Sequence, residues 1–187
     1  MAGEPEGEEG LAAPEAPESP AAGRDKLALF AVIFGTVVTL DVATKFLVER
    51  NLTPSVDRVR IIGDYVRLTY IHNPGAAFGI HLGEYSRVIF LILSVVALVA
   101  LAGMYWTTPP RDRVRLSAIA LICAGAVGNL IDRVRSARGV VDFLDVGVGT
   151  LRWPVFNVAD IAVTTGAIFL ALSLWQEEQQ PRRRTGD

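Results

Sequence analysis

Polar side chains that could do chemistry fall into four short groups between long apolar stretches. The groups are Asp41 with Lys45, Asn129 with Asp132 and Arg133, Asp142 with Asp145, and Asn157 with Asp160. A spacing of three or four residues places two side chains on one face of a helix. Carboxylates in such a setting support two chemistries. They can share a proton and activate water, or they can hold Mg²⁺ for phosphoryl transfer.

Other catalytic chemistries lack their residues in this chain. Cys123 is the single cysteine and has no histidine near it in sequence, so a thiol nucleophile is not expected. His72 and His81 are the only histidines, which leaves few ligands for zinc. No GxSxG or HExxH motif occurs. The formal net charge of −2 argues against a nucleic-acid partner.

Asp160 is the carboxylate that is hardest to explain as part of a structural ion pair. It has no basic residue three or four positions away on its own helix, which makes it the best candidate for chemistry. Asp41 with Lys45 can instead be a structural ion pair, and Asp132 with Arg133 can be another, each holding helix ends together.

Four apolar blocks must position these groups. They cover residues 27–48, 88–106, 116–131 and 155–175 of a 187-residue chain that is 51% hydrophobic. A membrane-spanning helix needs about 20 mostly apolar residues. Residues 59–71 and 140–146 are rich in β-branched and aromatic types, which favours strands. The sequence therefore predicts an all-α integral membrane protein of four transmembrane helices, with a small extracytoplasmic β-element from the two outer loops.

The ends of the chain differ in composition from this unit. Residues 1–26 hold six glutamates and four prolines, and we expect a disordered acidic cytoplasmic tail. Residues 27–176 form the membrane domain, and residues 177–187 form a basic cytoplasmic tail. Both ends are placed in the cytoplasm because the linker at residues 107–115 packs Arg111, Arg113 and Arg115 close to two spans. The fourth helix is predicted to begin at Pro154, a residue suited to a first helical turn.

The polar groups lie within a recognisable set of motifs. The segments are DVATK at residues 41–45, HNPGAAFG at 72–79, AGAVGNLIDRV at 124–134 with VVDFLDV at 140–146, and FNVADIAVTTG at 156–166. In content and order they resemble the lipoprotein signal peptidases, also called signal peptidase II. GNLIDR followed by VVDF and then FNxAD is the most specific part of the match.

This resemblance implies an intramembrane aspartyl endopeptidase of the bacterial inner membrane that cuts signal peptides from lipidated prolipoproteins. It places the catalytic pair on Asp142 and Asp160. The supporting or substrate-binding residues are then Asp41, Lys45, Asn73, Gly75, Ala77, Phe78, Asn129, Asp132, Arg133 and Asn157. Gly75 to Ala77 would let a mobile flap approach the substrate, with Phe78 covering it. Expected partners are lipidated substrates and membrane lipids, with no cofactor or metal and a monomeric chain.

Two other classes stay open on the residues alone. One is a Mg²⁺-dependent membrane phosphotransferase that uses Asp132, Asp142 and Asp145. The other is a non-enzymatic membrane adaptor in which Asp41 and Lys45 only join helices. Sensitivity to EDTA separates the peptidase from the phosphotransferase, and tolerance of aspartate substitutions would favour the adaptor.

Overall fold

The computed structural model describes residues 20–77, 80–81 and 83–179. The order of its elements is α1 (Pro20–Asn51), β1 (Arg58–Ile62), β2 (Val66–Asn73), β3 (Ala76–Ala77), β4 (Ile80–His81), a short 3₁₀ turn (Gly83–Tyr85), α2 (Ser86–Thr107), α3 (Arg113–Arg135), β5 (Val140–Val148), β6 (Leu151–Arg152) and α4 (Val158–Gln179). Within these ranges, four helices are long and apolar enough to cross a membrane. The predicted fold class is confirmed.

The third helix is the centre of the bundle. It packs against α1, α2 and α4, and its buried face is made largely of small residues. A Cβ added at Gly128 would lie 2.5 Å from an Asp41 carboxylate oxygen, and one at Gly125 would collide with the Ala159 carbonyl. Close helix approach in membranes depends on such small residues. Large apolar side chains such as Val32, Val99 and Ile168 remain exposed, as lipid-facing residues would be.

The two long loops build one antiparallel sheet in the order β1-β2-β5-β6. Arg60 pairs with Arg67 across β1 and β2, and Asp142 pairs with Ile71 across β5 and β2. One face of this sheet packs on the end of α1, where Tyr70, Val141 and Phe143 join Val48 in a buried cluster. The β-element expected from these loops is present. Residues 59–71, which were predicted as one strand segment, instead form two strands, β1 and β2, joined by a turn at Gly63.

Several predicted boundaries shift. The fourth helix begins at Val158, not at Pro154, since Asn157 supplies the capping side chain. The first helix begins at Pro20, so residues 20–26 of the predicted disordered tail are helical, and the last helix runs to Gln179, past the predicted limit at residue 176. Residues 1–19 and 180–187, which carry the rest of the two predicted tails, lie outside the described residues.

Candidate active site

The start of α4 positions Asp160. The Asn157 side-chain oxygen accepts the backbone N–H of Asp160 at 2.9 Å, and the Asp160 carboxylate accepts the backbone N–H of Asn157 at 3.1 Å. This reciprocal pattern is a capping box, which satisfies free N–H groups at a helix start. Asp160 therefore sits in the first turn, where the positive end of the helix dipole favours a negative charge.

Strand β5 carries Asp142 to the same place. Its side chain is almost fully buried and accepts N–H bonds from the amides of Asn157, at 2.7 Å, and Asn73, at 3.0 Å. Burial and the nearby negative charge of Asp160 raise the pKa of Asp142 to about 7, against the opposing effect of the two amide donors and Lys45. A carboxyl group that titrates near neutral pH can hold a proton there and give it up.

Asn157 joins the two aspartates. Its side-chain nitrogen donates to Asp142, while its backbone nitrogen donates to Asp160. The side chain is fully buried and its amide also reaches the Val141 carbonyl at 3.2 Å. The structure thus brings together the two carboxylates that the sequence motifs singled out, although they are 18 positions apart in the chain.

Asn129 on α3 is the second donor to Asp160. Its side-chain nitrogen lies 2.8 Å from an Asp160 carboxylate oxygen. Its side-chain oxygen accepts bonds from Lys45 and from Asn157, both at 3.0 Å. A lysine ammonium can only donate, so Lys45 holds the amide oxygen toward itself and the amide nitrogen toward Asp160.

Lys45 is the hub of a buried ion cluster. Its ammonium lies 2.7 Å from Asp41 and 2.9 Å from Asp132. Asp41 also accepts the backbone N–H of Ala159 in α4, and Asp132 accepts that of Val141 in β5. The cluster therefore ties α1 and α3 to the two elements that carry the catalytic candidates. The predicted Asp41–Lys45 pair is present.

The predicted Asp132–Arg133 pair is wrong. Asp132 bonds to Lys45, whereas Arg133 turns away and donates to the Asn129 carbonyl at 3.2 Å. The guanidinium lies 5.7 Å from the centre of the Phe90 ring on α2, a cation–π contact. Adjacent residues on one helix need not pair with each other, because neighbouring helices can supply better partners, here Lys45 on α1 and Phe90 on α2.

The sequence patterns did not identify two residues that position the site. Arg87 at the start of α2 donates to the Arg133 carbonyl at 2.7 Å, and nothing in its local sequence marks it. Gly128 leaves room for Asp41, as described above. Its spacing of three residues from Gly125 was a usable signal, since small residues at helical spacing mark close packing in membranes.

Gly75 lies against the start of α2. Its φ of +123° is a conformation that favours glycine, and an added Cβ would lie 2.9 Å from the Phe90 ring and 3.0 Å from Ser86. Its N–H donates to the Asn73 side-chain oxygen at 3.0 Å, which turns the Asn73 amide nitrogen toward Asp142. Ala77 falls in β3, and Phe78 lies outside the described residues. The flap stays a prediction.

Asp145 stands apart from the two candidates. It pairs with Arg152 at 2.7 Å and accepts a long hydrogen bond from Thr69. Asp132 and Asp142 each have their own partners, as above. Across the described ranges, no group of three His, Cys, Asp or Glu residues is arranged to share a metal ion. The three-carboxylate arrangement that the phosphotransferase alternative requires is absent from this part of the chain.

Comparison with known proteins identifies the family of this chain. Residues 33–176 match a family model described as Signal peptidase (SPase) II. The lipoprotein signal peptidase of Halothermothrix orenii is 44% identical over 143 residues, covering 76% of this chain and 92% of that protein. That of Moorella thermoacetica is 42% identical over 140 residues, covering 75% and 86%.

A solved structure has the same fold. It is described as a bacterial membrane enzyme determined by the in meso method at 2.3 Å, and it is 30% identical with a TM-score of 0.74. The match covers 82% of this chain and 92% of that one. With its four apolar helices, the chain is a multi-pass bacterial membrane protein. It belongs to the signal peptidase II family and is an aspartic peptidase.

Proposed function

We propose that this chain removes signal peptides from lipid-modified prolipoproteins, with Asp142 and Asp160 as its catalytic dyad. The observation that carries the dyad is the pair of bonds from Asn157, which tie both carboxylates to one residue. Relatives that are 38% to 44% identical to this chain are named lipoprotein signal peptidases, which supports the substrate class. Two close carboxylates cannot both ionise cheaply, so the pair shares one proton.

We assign the shared proton to Asp142. Its pKa is raised to about 7, chiefly by burial, so the carboxyl group is protonated below neutral pH and about half protonated near pH 7. Asp160 receives N–H bonds from Asn129 and Asn157 at the start of a helix, an environment that stabilises a carboxylate. Asp160 is therefore the general base and Asp142 the general acid.

The reaction then balances through these two groups. Asp160 takes a proton from water as the water oxygen bonds to the scissile carbonyl carbon, and Asp142 gives its proton to the carbonyl oxygen. In the second half, the carbon–nitrogen bond breaks and the leaving amine takes the proton from Asp160. Asp142 recovers its proton from the hydroxyl group as the carbonyl reforms. Both groups end as they began.

The position of the dyad fits a substrate held in the bilayer. Asp142 lies on β5 of the sheet and Asp160 lies in the first turn of α4, both at the end of the bundle where α3 ends and α4 begins. The apolar signal helix and the acyl chains can enter sideways from lipid. We place both termini in the cytoplasm and the sheet on the outer side of the inner membrane. A single chain supplies both aspartates, so a monomer suffices.

Purified full-length protein in detergent should shorten a lipidated prolipoprotein, seen as a gel shift and as a product mass that begins at the lipidated cysteine. EDTA should leave the rate unchanged, because the dyad needs no metal. No cleavage, or cleavage lost with EDTA and restored by Mg²⁺, would contradict the proposal. A reporter within residues 57–63 should read external, and the reverse would overturn the stated orientation.

A further inference from the structure

The sheet has two faces: one packs on α1, and the other carries Asp142. Leu68, Tyr70, Val141 and Phe143 cover the face that packs on α1. Leu68 and Tyr70 both pack on that face, so Arg67, Thr69, Ile71 and Asn73 of β2 share the opposite face. The β2–β5 pairing shifts by one residue between Leu68 and Ile71, and in β5 the adjacent Phe143 and Leu144 both pack on the α1 side, which leaves Asp142 and Asp145 on the opposite face. Two contacts with β5 confirm that placement: Asn73 bonds to Asp142, and Thr69 bonds to Asp145. The dyad face therefore continues from Asp142 along β2 to Arg67.

Three arginines gather at the far end of this face. Arg60 pairs with Arg67 across the strands, and Arg58 pairs with Thr69, so all three point the same way. They line an open cavity of about 490 Å³. Asp64 forms ion pairs with Arg60 at 3.0 Å and with Arg67 at 3.2 Å. Asp145 forms its ion pair with Arg152 instead. Three guanidinium groups thus face a single carboxylate.

The cavity has unused hydrogen-bond capacity. Arg58 is exposed and has no ion-pair partner among the described residues. The Nε of Arg67 is buried and has no hydrogen-bond partner there either. Guanidinium groups offer paired N–H donors whose geometry matches a carboxylate. The arrangement is suited to an anionic side chain that comes from outside the protein.

Only one part of a substrate can reach this cavity. The signal peptide's apolar helix stays among lipids, whereas the sheet lies outside the four spanning helices. The segment that follows the scissile bond is the part that leaves the membrane. From Asn73 to Arg67 is about 20 Å along an extended strand, so the cavity lies about six residues from the dyad.

We propose that Arg58, Arg60 and Arg67 form a subsite for acidic residues about four to seven positions after the scissile bond of the substrate. The inference rests on the proposed function and adds a preference to it. Exposed ion pairs are individually weak, so we expect two or three of them to lower KM by about three- to tenfold. The effect should weaken as salt screens the charges.

The test uses two lipidated prolipoproteins that differ only in residues four to seven after the cleavage site, which are glutamates in one and glutamines in the other. Wild-type protein in neutral-lipid nanodiscs should show a higher kcat/KM for the glutamate substrate, through KM. The variant Arg58→Gln/Arg60→Gln should cleave the two substrates with equal kcat/KM. The control Arg111→Gln/Arg113→Gln changes two exposed arginines, one in the α2–α3 linker and one at the start of α3, and should keep the wild-type ratio.

Equal KM values for the two substrates with wild-type protein would overturn the subsite and leave the proposed function standing. Failure to cleave either substrate would instead overturn the proposed function, and the subsite with it. Nanodiscs with added phosphatidylglycerol separate a lipid site from a peptide site. If the double variant differs from wild type only in those nanodiscs, and equally for both substrates, the cavity binds lipid headgroups and the inference is wrong.

Discussion

The two ends of α3 are both tied to other helices by ion pairs, but the two clusters differ in burial. At its C-terminal end, Lys45, Asp41 and Asp132 have side chains that are at most 6% exposed. At its N-terminal end, Arg115 bonds to Asp112 and to Glu177, whose side chains are 28% and 64% exposed. Exposed pairs are screened by water and contribute little to stability.

The buried cluster stabilises no better than an apolar core would, because removing charges from water costs several kcal/mol per ion. What it adds is geometry. Each of its carboxylates accepts a backbone N–H from an element that carries a catalytic candidate, and Lys45 fixes the Asn129 amide that faces Asp160. We infer that the C-terminal cluster serves the active site and that the N-terminal cluster serves only helix packing.

The largest effect should come from the dyad. Asp142→Asn and Asp160→Asn each keep the shape of the side chain but cannot exchange the required proton, so kcat should fall by about 10²- to 10⁴-fold or more. Asp145→Asn is the matched control on the same strand as Asp142 and should cost far less. Rates on a lipidated substrate with purified, folded variants measure this. Comparable losses at Asp145 and Asp142 would contradict the assignment.

Within the buried cluster, substitution of Lys45 should have the largest effect on stability. Lys45→Met leaves Asp41 and Asp132 buried without their cation, which should lower the free energy of unfolding by about 3–5 kcal/mol. Loss of the bond from Lys45 to the Asn129 side-chain oxygen should also lower kcat, because that bond orients the amide that faces Asp160. Thermal unfolding in detergent and a rate assay check both effects. A variant with wild-type stability would show that the cluster is not held by charge.

Gly75→Val should lower activity with little loss of helical structure. A β-branched residue is disfavoured at φ +123°, and its Cβ would press on Phe90 and Ser86. Displacing the Gly75 N–H would release the Asn73 amide that faces Asp142. Circular dichroism and turnover separate these effects. Full activity in this variant would refute the positioning role.

The pH dependence should follow Asp142. Its folded-state pKa of about 7 lies above the ordinary 3.8, so between these values the folded state holds a proton that the unfolded state has lost. Stability therefore falls as pH rises through that window. Above about pH 7 the general acid is lost and kcat should fall too. Asp142→Asn should show a flatter dependence of unfolding temperature on pH, and an unchanged slope would contradict this.

The smallest effect should come from the exposed cluster. Arg115→Gln removes one half-buried and one exposed ion pair, so the free energy of unfolding should change by about 1 kcal/mol or less. Turnover should stay at the wild-type level, because the bonds that Arg115 makes to Asp112, Ser173 and Glu177 lie at the opposite end of α3 from the dyad. A loss of activity comparable to that of Lys45→Met would erase the distinction between the two ends of α3.

The sequence predicted the spans and the β-element, because apolar length and strand composition are local signals, and its motifs named the candidate carboxylates that the fold brings together at Asn157. It placed the start of α4 wrongly, since Pro154 looks like a first-turn residue while Asn157 and Asp160 cap the helix together. The capping pattern was readable, as Asn and Asp stand three positions apart.

Contacts between helices were not readable from local spacing. Asp132 and Arg133 are adjacent, yet Asp132 bonds to Lys45, which is 87 positions away. The role of Arg87 depends on where α2 meets α3, and the arginine cavity depends on the register between β1 and β2. Such pairings are decided by packing between elements, which no single segment encodes.

The central claim is that Asp142 and Asp160 act as one unit joined by Asn157. Its most direct test is kcat for Asp142→Asn, Asp160→Asn and the double variant, measured on one lipidated prolipoprotein with folding confirmed. Groups that act as a unit are non-additive, so the double variant should be scarcely slower than either single variant. Losses that multiply in the double variant, or substantial turnover by Asp160→Asn, would contradict the shared dyad.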